Sequence, residues 1–341
     1  MKTLRVGVIG VGEISKIHIP HILNYMNVEL VGIYDIQIEK AIKASQSFHI
    51  PYVSSYEELI SLRPDVCHVL TPHDTHYEII KDLLEHNIHV LAEKPLAIDY
   101  LKAIELVSLA EEHDVILSVC LQNRSNKTTR KLMSIIDNKT FGKLLSLRGL
   151  VYWKRDIAYY QKDEWRGTWR HEGGGVLINQ AIHTLDLITL LGGEVESFYG
   201  SYFNYFLPEI EVEDQANVSI QFKNQARGFL SATTSNVIDS PVEIDIVLEK
   251  GRFKLIGDRL YQNTEDNLIL IEKDASLHGE KFYFGVSHEK LIHDLYDFLL
   301  YRYGEVINAK DTLTCLEIIT KIYQQKNVNK PMVIDHHLKR K

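Results

Sequence analysis

A glycine-rich turn, Gly10-Val11-Gly12-Glu13-Ile14-Ser15, stands between an apolar run and a segment with helical periodicity. Gly10 would permit a tight turn, Gly12 would let the backbone approach a pyrophosphate, and a helix beginning near Ile14 would point free N–H groups at its charge. Ser15 replaces the usual third glycine or alanine and is small enough to keep helix and strand close. The pattern predicts a dinucleotide site, although an incidental glycine turn is the alternative.

A carboxylate follows the second apolar run where a ribose ligand is expected. Asp35 lies 20 residues beyond Ser15 and could accept hydrogen bonds from an adenosine ribose diol. Because Asp35 would repel a 2′-phosphate, and Ile36 and Gln37 offer no cation, the sequence favours NAD over NADP. Asp35 could instead simply cap the following helix.

Glu93-Lys94-Pro95 follows the predicted strand 89–92, at the sheet edge where ligands of open α/β sheets bind. The Lys94 ammonium could hydrogen-bond a reacting oxygen and stabilise the negative charge that develops there during hydride transfer. A solvated surface lysine is the alternative interpretation.

A triple glycine, Gly173-Gly174-Gly175, precedes an apolar segment with a polar stripe. Asn179, His183 and Asp186 follow at i, i+4 and i+7, which predicts that they share one face of a helix. A neutral His183 imidazole could take a substrate hydroxyl proton as general base, and Asn179 could orient the hydroxyl. A core histidine held by Asp186 is the alternative.

The elements that must position these residues begin with alternating β-branched runs and helix-period segments, the pattern of βαβ units. The predicted strands are 4–9, 29–34, 66–70, 89–92 and 116–119. The predicted helices are 14–25, 38–48, 75–86 and 98–113. We therefore expect residues 1–121 to form a doubly wound parallel sheet of the Rossmann type, which is an α/β dinucleotide-binding domain.

A helix predicted at 125–138 leads into a region with a different pattern. The predicted strands there are 143–153, 196–205, 217–222, 227–234 and 242–248, and two helices at 288–303 and 310–325 follow. The pattern predicts an α+β domain over 122–341 with a large open, mainly antiparallel sheet. The C-terminal helices could pack back on the first domain.

Length and composition agree with two folded domains. The chain has 341 residues, which is more than one hydrophobic core usually organises. Of these residues, 45% are hydrophobic and 25% are charged, which is ordinary for a folded globular protein. A net charge of −8 argues against nucleic acid as a partner. The three cysteines match neither a disulfide framework nor a metal-ligand pair, the N-terminus lacks an export signal, and no apolar stretch could span a bilayer. We expect a soluble, cytoplasmic protein without a membrane partner.

Several histidines raise the question of a metal. In the predicted βα layout they would fall on different elements and faces, whereas zinc needs three or four convergent ligands. No metal is predicted from this set: His18, His21, His73, His76, His86 and His89.

Four segments together make nearly the whole chain resemble the Gfo/Idh/MocA family, the relatives of glucose-fructose oxidoreductase and inositol dehydrogenase. They are the glycine turn, Thr71-Pro72-His73-Asp74-Thr75-His76, Glu93-Lys94-Pro95, and the triple-glycine segment with its histidine. The resemblance implies an NAD(P)-dependent oxidoreductase that transfers a hydride between nicotinamide and a hydroxyl or keto carbon of a sugar, sugar derivative or polyol. It also implies that the second domain binds substrate and that its open sheet forms a homodimer or homotetramer interface.

The same resemblance, together with residue types, supplies the candidate site residues. Lys94, His183 and Asn179 are the catalytic candidates. The expected cofactor contacts are Gly10, Gly12, Glu13, Ile14, Asp35, Thr71, Pro72, His73, His76, Glu93, Lys94, Gln122, Trp165 and Arg166. The expected substrate contacts are Arg124, Trp153, Tyr160, Asn179 and His183, because planar rings and forked donors suit a hydroxyl-rich ligand. For Trp165 and Arg166, a packed aromatic turn is the alternative.

One departure and two alternatives remain. Many family members have aspartate where this chain has Asn179, and asparagine cannot share a proton with His183. The Asn-Gln pair before the histidine resembles a subgroup that includes nucleotide-sugar and amino-sugar 3-dehydrogenases. An NAD-retaining glycosidase and a non-catalytic, nucleotide-sensing regulator are the alternative functions on this fold.

Overall fold

The computed structural model describes residues 3–265, 267–275, 287–325 and 332–333. Within these ranges the chain divides into two compact units. The first comprises residues 3–122 and 287–313, and the second comprises the remainder. The sequence division placed 287–313 in the second domain while allowing the C-terminal helices to pack back. The segment belongs to the first unit.

The elements are numbered here in chain order. The strands are β1 (Leu4–Ile9), β2 (Val28–Tyr34), β3 (Val66–Val69), β4 (His89–Ala92), β5 (Leu117–Val119), β6 (Leu144–Tyr152), β7 (Val195–Phe203), β8 (Gln215–Phe222), β9 (Arg227–Thr233), β10 (Glu243–Leu248), β11 (Gly251–Ile256), β12 (Arg259–Asn263), β13 (Leu268–Lys273) and β14 (Met332–Val333). The α-helices are α1 (Ser15–Leu23), α2 (Ile38–Phe48), α3 (Tyr56–Ser61), α4 (His76–Glu85), α5 (Tyr100–Glu112), α6 (Lys127–Asp137), α7 (Ile157–Gln161), α8 (Val176–Asn179), α9 (Ile182–Gly192), α10 (His288–Tyr301) and α11 (Leu313–Tyr323).

The first unit is a five-stranded parallel sheet in the order β2-β1-β3-β4-β5. Its strands are apolar on both faces, as a sheet covered by helices requires, and Val6 and Val8 in β1 are fully buried. The predicted doubly wound sheet is confirmed. The short helix α3 was not predicted, although Ser55 caps it by accepting from Glu58 N at 3.1 Å.

Helix α10 completes the first unit. Leu291, Ile292 and Leu295 share one core with Ile19 and Ile22 of α1. The helix ends two residues before the predicted position because Arg302 takes a left-handed conformation, with φ 63°. The second C-terminal helix was predicted to start at 310, but a 3-10 turn occupies Ala309–Thr312 and α11 follows it.

The second unit contains a nine-stranded sheet in the order β13-β12-β11-β10-β6-β9-β8-β7-β14. Among the strands that the structure describes, β6 and β9 run parallel and every other neighbouring pair in this sheet is antiparallel. The predicted mainly antiparallel sheet is confirmed. Strands β11, β12 and β13 were not predicted, and β13 lacks alternation because Leu268, Ile269 and Leu270 are all exposed.

Helix α9 packs closely on this sheet because glycine provides the space. A Cβ on Gly149 of β6 would lie 2.6 Å from Thr184 and 2.8 Å from Ile188, both in α9. Among the described residues, no helix has the length and apolar character needed to cross a bilayer.

A buried carboxylate holds the triple glycine that leads into α8. Glu213 is fully buried and accepts hydrogen bonds from Gly175 N at 2.7 Å, Leu177 N at 3.0 Å and the Tyr323 hydroxyl at 2.6 Å. Burial raises the pKa of Glu213 to about 7, and these three donors oppose part of that shift. Glu213 therefore fastens the end of α11 to the glycine loop.

This raised pKa predicts a pH dependence of stability. A folded state that holds the Glu213 proton more tightly than the unfolded chain loses stability as pH rises from about 4.5 to about 7, by roughly 3 kcal/mol. Glu213→Gln removes this titration, so the unfolding free energy of the variant relative to wild type should increase between about pH 5 and pH 8. Denaturant unfolding of both proteins at several pH values measures this difference in free energy.

Glu209→Gln is the matched control, because Glu209 is exposed in the same loop. Its difference from wild type should not change with pH. Parallel pH profiles for wild type and Glu213→Gln would contradict the assignment.

Candidate functional site

The glycine turn has the geometry that phosphate binding requires. Gly10 has φ 89°, and a Cβ there would lie 2.8 Å from the backbone of Leu70, so only glycine fits. At Gly12 a Cβ would meet no heavy atom within 4 Å, so the backbone is open to a ligand. Helix α1 begins at Ser15, one residue after the prediction, with the Ser15 hydroxyl donating to Gly12 O at 2.7 Å.

Asp35 at the end of β2 holds this turn. One carboxylate oxygen accepts from Val11 N at 2.9 Å, and the other accepts from Gln37 N at 2.9 Å. The contact with Gln37 N supports the residue that precedes α2, which agrees with the alternative that Asp35 caps this helix. The first contact fixes the carboxylate beside the glycine turn, where the ribose assignment also needs it.

The loop between β3 and α4 is tied to the loop after β4 through His76. Its Nδ1 lies 2.7 Å from Pro95 O and its Nε2 lies 2.9 Å from Thr71 O. His76 is completely buried, and burial lowers its pKa. His76, a predicted cofactor contact, supports Thr71 and Pro95 in the structure. His73 is also buried.

Glu93 lies next to the lysine singled out for catalysis. Its Oε1 is 3.1 Å from His18 Nε2, and Lys94 N donates to its Oε2 at 3.3 Å. Burial alone would raise the pKa of Glu93, but the hydrogen bond and charge of His18, with smaller contributions from His288 and Lys94, hold it well below its usual value. Glu93 is therefore an ionised carboxylate, and the half-buried Lys94 is beside a negative charge.

The remaining first-unit candidates differ in exposure. Glu13 is exposed and pairs with Lys16 at 2.7 Å, while Ile14 and Pro72 are half-buried. Gln122 is buried at the end of the first unit.

In the second unit, the predicted continuous helix through Asn179 and His183 is wrong. Helix α8 ends at Asn179 and α9 begins at Ile182. Ala181 N donates to Val176 O at 2.8 Å, five residues back, and this wider turn destroys the i, i+4 relation. His183 therefore lies in the first turn of α9, where it is half-buried.

Asn179 is oriented by a second buried carboxylate, Glu172. The Asn179 amide donates to Glu172 Oε1, while Gly167 N donates to Glu172 Oε2 at 2.5 Å. Because a carboxylate accepts from the amide nitrogen, the orientation of the Asn179 side chain is determined, with its carbonyl oxygen on the other side.

Arg124, a predicted substrate contact, forms a buried ion pair with Asp186. Its Nε and Nη2 reach the two carboxylate oxygens at 2.8 and 2.5 Å. The side chains are only 11% and 1% exposed. Both oxygens of Asp186 therefore accept from Arg124.

Two residues predicted to contact substrate are buried in the structure. Tyr160 is buried with Ile210 and Val212, and its hydroxyl lies 3.2 Å from Thr234 Oγ1. Trp153 is 8% exposed. Residue type alone predicted these contacts, and it does not indicate which aromatic side chains face inward.

A stacked group of cations and aromatic rings surrounds Tyr159. The Arg166 guanidinium lies 4.5 Å from the Trp165 ring and 4.6 Å from the Tyr159 ring. The Tyr159 hydroxyl accepts from Arg166 Nη1 at 2.5 Å and from Gln180 Nε2 at 3.3 Å. Trp165 and Arg166 therefore pack together with Tyr159. Gln180, which contacts the Tyr159 hydroxyl, follows Asn179 directly in the chain.

Sequence reasoning missed Glu172 and Glu213 as supports of the site. Glu213 follows Glu211 and Val212 in an acidic and apolar alternation that is typical of a strand with exposed glutamates. Nothing in that local pattern marks Glu213 as the buried member.

The glycine turn predicts different outcomes for its two glycines. Gly10→Ala should lower both thermal stability and NAD affinity, because alanine is strained at this φ and meets the backbone of Leu70. Gly12→Ala should leave thermal stability unchanged and weaken NAD binding roughly tenfold or more, since it obstructs only the ligand. Calorimetric titration with NAD measures the affinity of each variant, and thermal unfolding measures its stability. Wild-type NAD affinity in Gly12→Ala would count against the pyrophosphate assignment.

The buried ion pair predicts a large stability loss. Arg124→Met leaves Asp186 buried without its cation and should cost about 3–5 kcal/mol of unfolding free energy. The double variant Arg124→Met/Asp186→Leu should recover most of this loss. Arg148→Met is the control: Arg148 is 58% exposed in its pair with Asp245, and less than about 1 kcal/mol is expected. Equal losses in the Arg124 and Arg148 variants would show that burial does not decide the effect.

Comparison with known proteins adds the family. Residues 4–121 match the model of the Gfo/Idh/MocA oxidoreductase family, NAD-binding Rossmann fold, and residues 129–254 match the Gfo/Idh/MocA C-terminal domain. Glucose-6-phosphate 3-dehydrogenase from Bacillus subtilis is 28% identical, with 73% of each chain covered. Myo-inositol 2-dehydrogenase from Thermotoga maritima is 25% identical, with 82% of each chain covered.

A solved structure is similar over the whole length. The WlbA dehydrogenase from Bordetella pertussis, in complex with NADH and UDP-GlcNAcA, has a TM-score of 0.86 and 26% identity, covering 98% of this chain and 99% of that one. The fold, the open glycine turn and the two family matches agree. This chain belongs to the Gfo/Idh/MocA family of oxidoreductases, and its first unit contains the NAD-binding Rossmann domain of that family.

Proposed function

We propose that this protein is an NAD-dependent dehydrogenase that acts on a secondary hydroxyl of a sugar, sugar derivative or polyol. The observation that carries the proposal is the open backbone at Gly12, beside a carboxylate fixed at Asp35, in a unit that also presents Lys94 after β4. A Cβ at Gly12 would point into open space, which fits a cofactor pyrophosphate approaching the N-terminus of α1.

The charges around the glycine turn support NAD as the cofactor. The pyrophosphate would lie against Gly10, Gly12 and the first turn of α1, and Asp35 would accept from the adenosine ribose. Asp35 already accepts from two backbone N–H groups, and a carboxylate has room for further donors. A 2′-phosphate would be repelled there, which favours NAD.

The reaction needs a group for the hydroxyl proton and a group for the developing negative charge. NAD⁺ supplies the hydride acceptor, taking two electrons and one hydrogen from the substrate carbon. We assign the proton to His183 and stabilisation of the alkoxide oxygen to Lys94. Glu172 holds the Asn179 amide in one orientation, so Asn179 can direct a substrate hydroxyl.

The substrate class is supported by relatives and by the second unit. One relative is named a glucose-6-phosphate 3-dehydrogenase and another, from Escherichia coli, a D-glucoside 3-dehydrogenase. The Arg166, Trp165 and Tyr159 group offers flat rings and forked donors of the kind that bind sugar faces and oxygens.

A homodimer or homotetramer through the open sheet is part of the proposal. Tyr199 of β7 and Phe229 of β9 both pair with Ser219 of β8, so they lie in one row on one face. Both rings are 42% exposed. Exposed aromatic rings in a row support an interface. A cytoplasmic location is supported by the three cysteines, which are buried and unbridged.

The test is NADH formation with NAD⁺ and a panel of aldoses, sugar phosphates, nucleotide sugars, amino sugars and cyclitols. Lys94→Ala should lower kcat by about 10²–10⁴-fold while NAD affinity stays within a few-fold of wild type. His183→Ala should behave similarly, with the remaining activity rising at high pH where solvent base replaces it. Lys94→Arg keeps the charge and serves as the control for charge alone.

Two results would contradict the proposal. One is NAD binding without turnover on any member of the panel. The other is undiminished turnover in Lys94→Ala, which would remove Lys94 from the chemistry.

A further inference from the structure

Four side chains of the first unit converge on one buried point. They are His18 of α1, Glu93 after β4, Cys120 after β5, and His288, the first residue of α10. Their ligand atoms all lie within 4.8 Å of one another. His18 and Cys120 are completely buried, and His288 is 3% exposed. Dehydrogenation as proposed uses neither of the histidines nor the thiol.

The separations suit a single small ion. His18 Nε2 lies 3.1 Å from Glu93 Oε1 and 3.9 Å from Cys120 Sγ. Tetrahedral zinc with ligand distances of about 2.0–2.3 Å places its ligand atoms about 3.3–3.8 Å apart. These two separations lie within a few tenths of an ångström of that range, and the other pairs of ligand atoms lie within 4.8 Å, so side-chain movements of about 1 Å or less would close the site.

A second set of contacts orients His18 as a ligand. His18 Nδ1 lies 2.9 Å from His68 Nδ1, and His68 Nε2 lies 2.7 Å from the Tyr296 hydroxyl. If His18 Nδ1 carries the proton and donates to His68, its Nε2 presents a lone pair to the centre of the cluster. Metal-binding histidines characteristically donate their other ring N–H in this way.

We propose that His18, Glu93, Cys120 and His288 bind one divalent transition metal, zinc by their chemistry, as a structural site. Two imidazoles and a thiolate select zinc over magnesium or calcium, which prefer oxygen ligands. The Glu93 carboxylate and the Cys120 thiolate balance the two positive charges of the ion, so the buried site is neutral. With four protein ligands the coordination is closed, which makes the role structural.

The positions of the four ligands in the chain indicate what the ion would do in the fold. Three ligands come from within residues 18–120, and His288 comes from the returning segment 287–313. The ion would fasten α10 to α1 and to the ends of β4 and β5. Of the six histidines from which the sequence argument excluded a metal, only His18 belongs to this cluster. The other ligands were not considered together because they are far apart in sequence.

The experiment measures metal content directly and does not depend on finding a substrate. Protein purified without an affinity tag, or with the tag removed, is desalted and analysed by plasma mass spectrometry. We expect about one zinc per chain in wild type and a loss of most of it in Cys120→Ser and His288→Ala. Cys315→Ser is the matched control, since Cys315 is a buried cysteine of the second unit, and it should retain the zinc.

Cobalt substitution covers the case in which a variant fails to fold. Metal-stripped wild type titrated with Co²⁺ should develop a near-ultraviolet thiolate-to-cobalt charge-transfer band that saturates at one equivalent. Chelation of the zinc should lower the thermal midpoint, because the metal binds only the folded state.

Wild type without bound zinc and without the cobalt band would overturn the proposal, as would full zinc retention in Cys120→Ser. The cluster would then be a metal-free hydrogen-bonded chain from Tyr296 through His68 and His18 to Glu93. Neither result bears on dehydrogenase activity, so failure of this proposal is distinguishable from failure of the proposed function.

Discussion

A carboxylate removed from water must find donors or a cation, and the loops that carry the candidate site residues are organised around that requirement. Asp35 accepts from Val11 N, Glu172 accepts from Gly167 N, and Glu213 accepts from Gly175 N. Each acceptor therefore fixes a glycine-containing loop through its backbone. Glycine gives these loops their tight geometry. The accepting carboxylate, which is buried in Glu172 and Glu213 and half-buried in Asp35, removes the freedom that glycine would otherwise leave them.

Two other buried acids are held by charged or ionisable side chains instead of by loop backbone alone. Asp186 is matched by Arg124 in a two-point ion pair, so α9 is connected to the chain that precedes α6. Glu93 is matched by His18, which keeps it ionised despite its burial. The result is a fixed negative charge next to Lys94.

What could be predicted from sequence was the part that local chemistry determines. The conformation of Gly10 and the open backbone at Gly12 follow from the glycine spacing and its position after an apolar strand. The break between Asn179 and His183 could not be predicted, because the apolar periodicity continues through it and only the contact from Ala181 N to Val176 O reveals the wider turn. The ion pair of Arg124 could not be predicted either, because its partner Asp186 lies 62 residues away, beyond any local pattern.

The sequence also did not predict where α10 packs in the fold. An amphipathic helix can cover any apolar surface of suitable size, so its apolar stripe predicts a helix but not the surface that it covers. Polar contacts decide between the possible surfaces. The Tyr25 hydroxyl donates to Asp297 at 2.6 Å, His293 Nε2 lies 3.0 Å from His21 O, and the Tyr296 hydroxyl lies 2.7 Å from His68 Nε2.

These three contacts come from consecutive turns of α10 and reach both α1 and β3. Rotating the helix by one residue, about 100°, would break all of them together and leave the His68 ring nitrogen buried without its hydroxyl partner. The apolar stripe therefore supplies most of the stabilisation from burial, while the polar contacts fix the rotation and the register. This explains how a segment that lies in sequence between two parts of the second unit completes the core of the first.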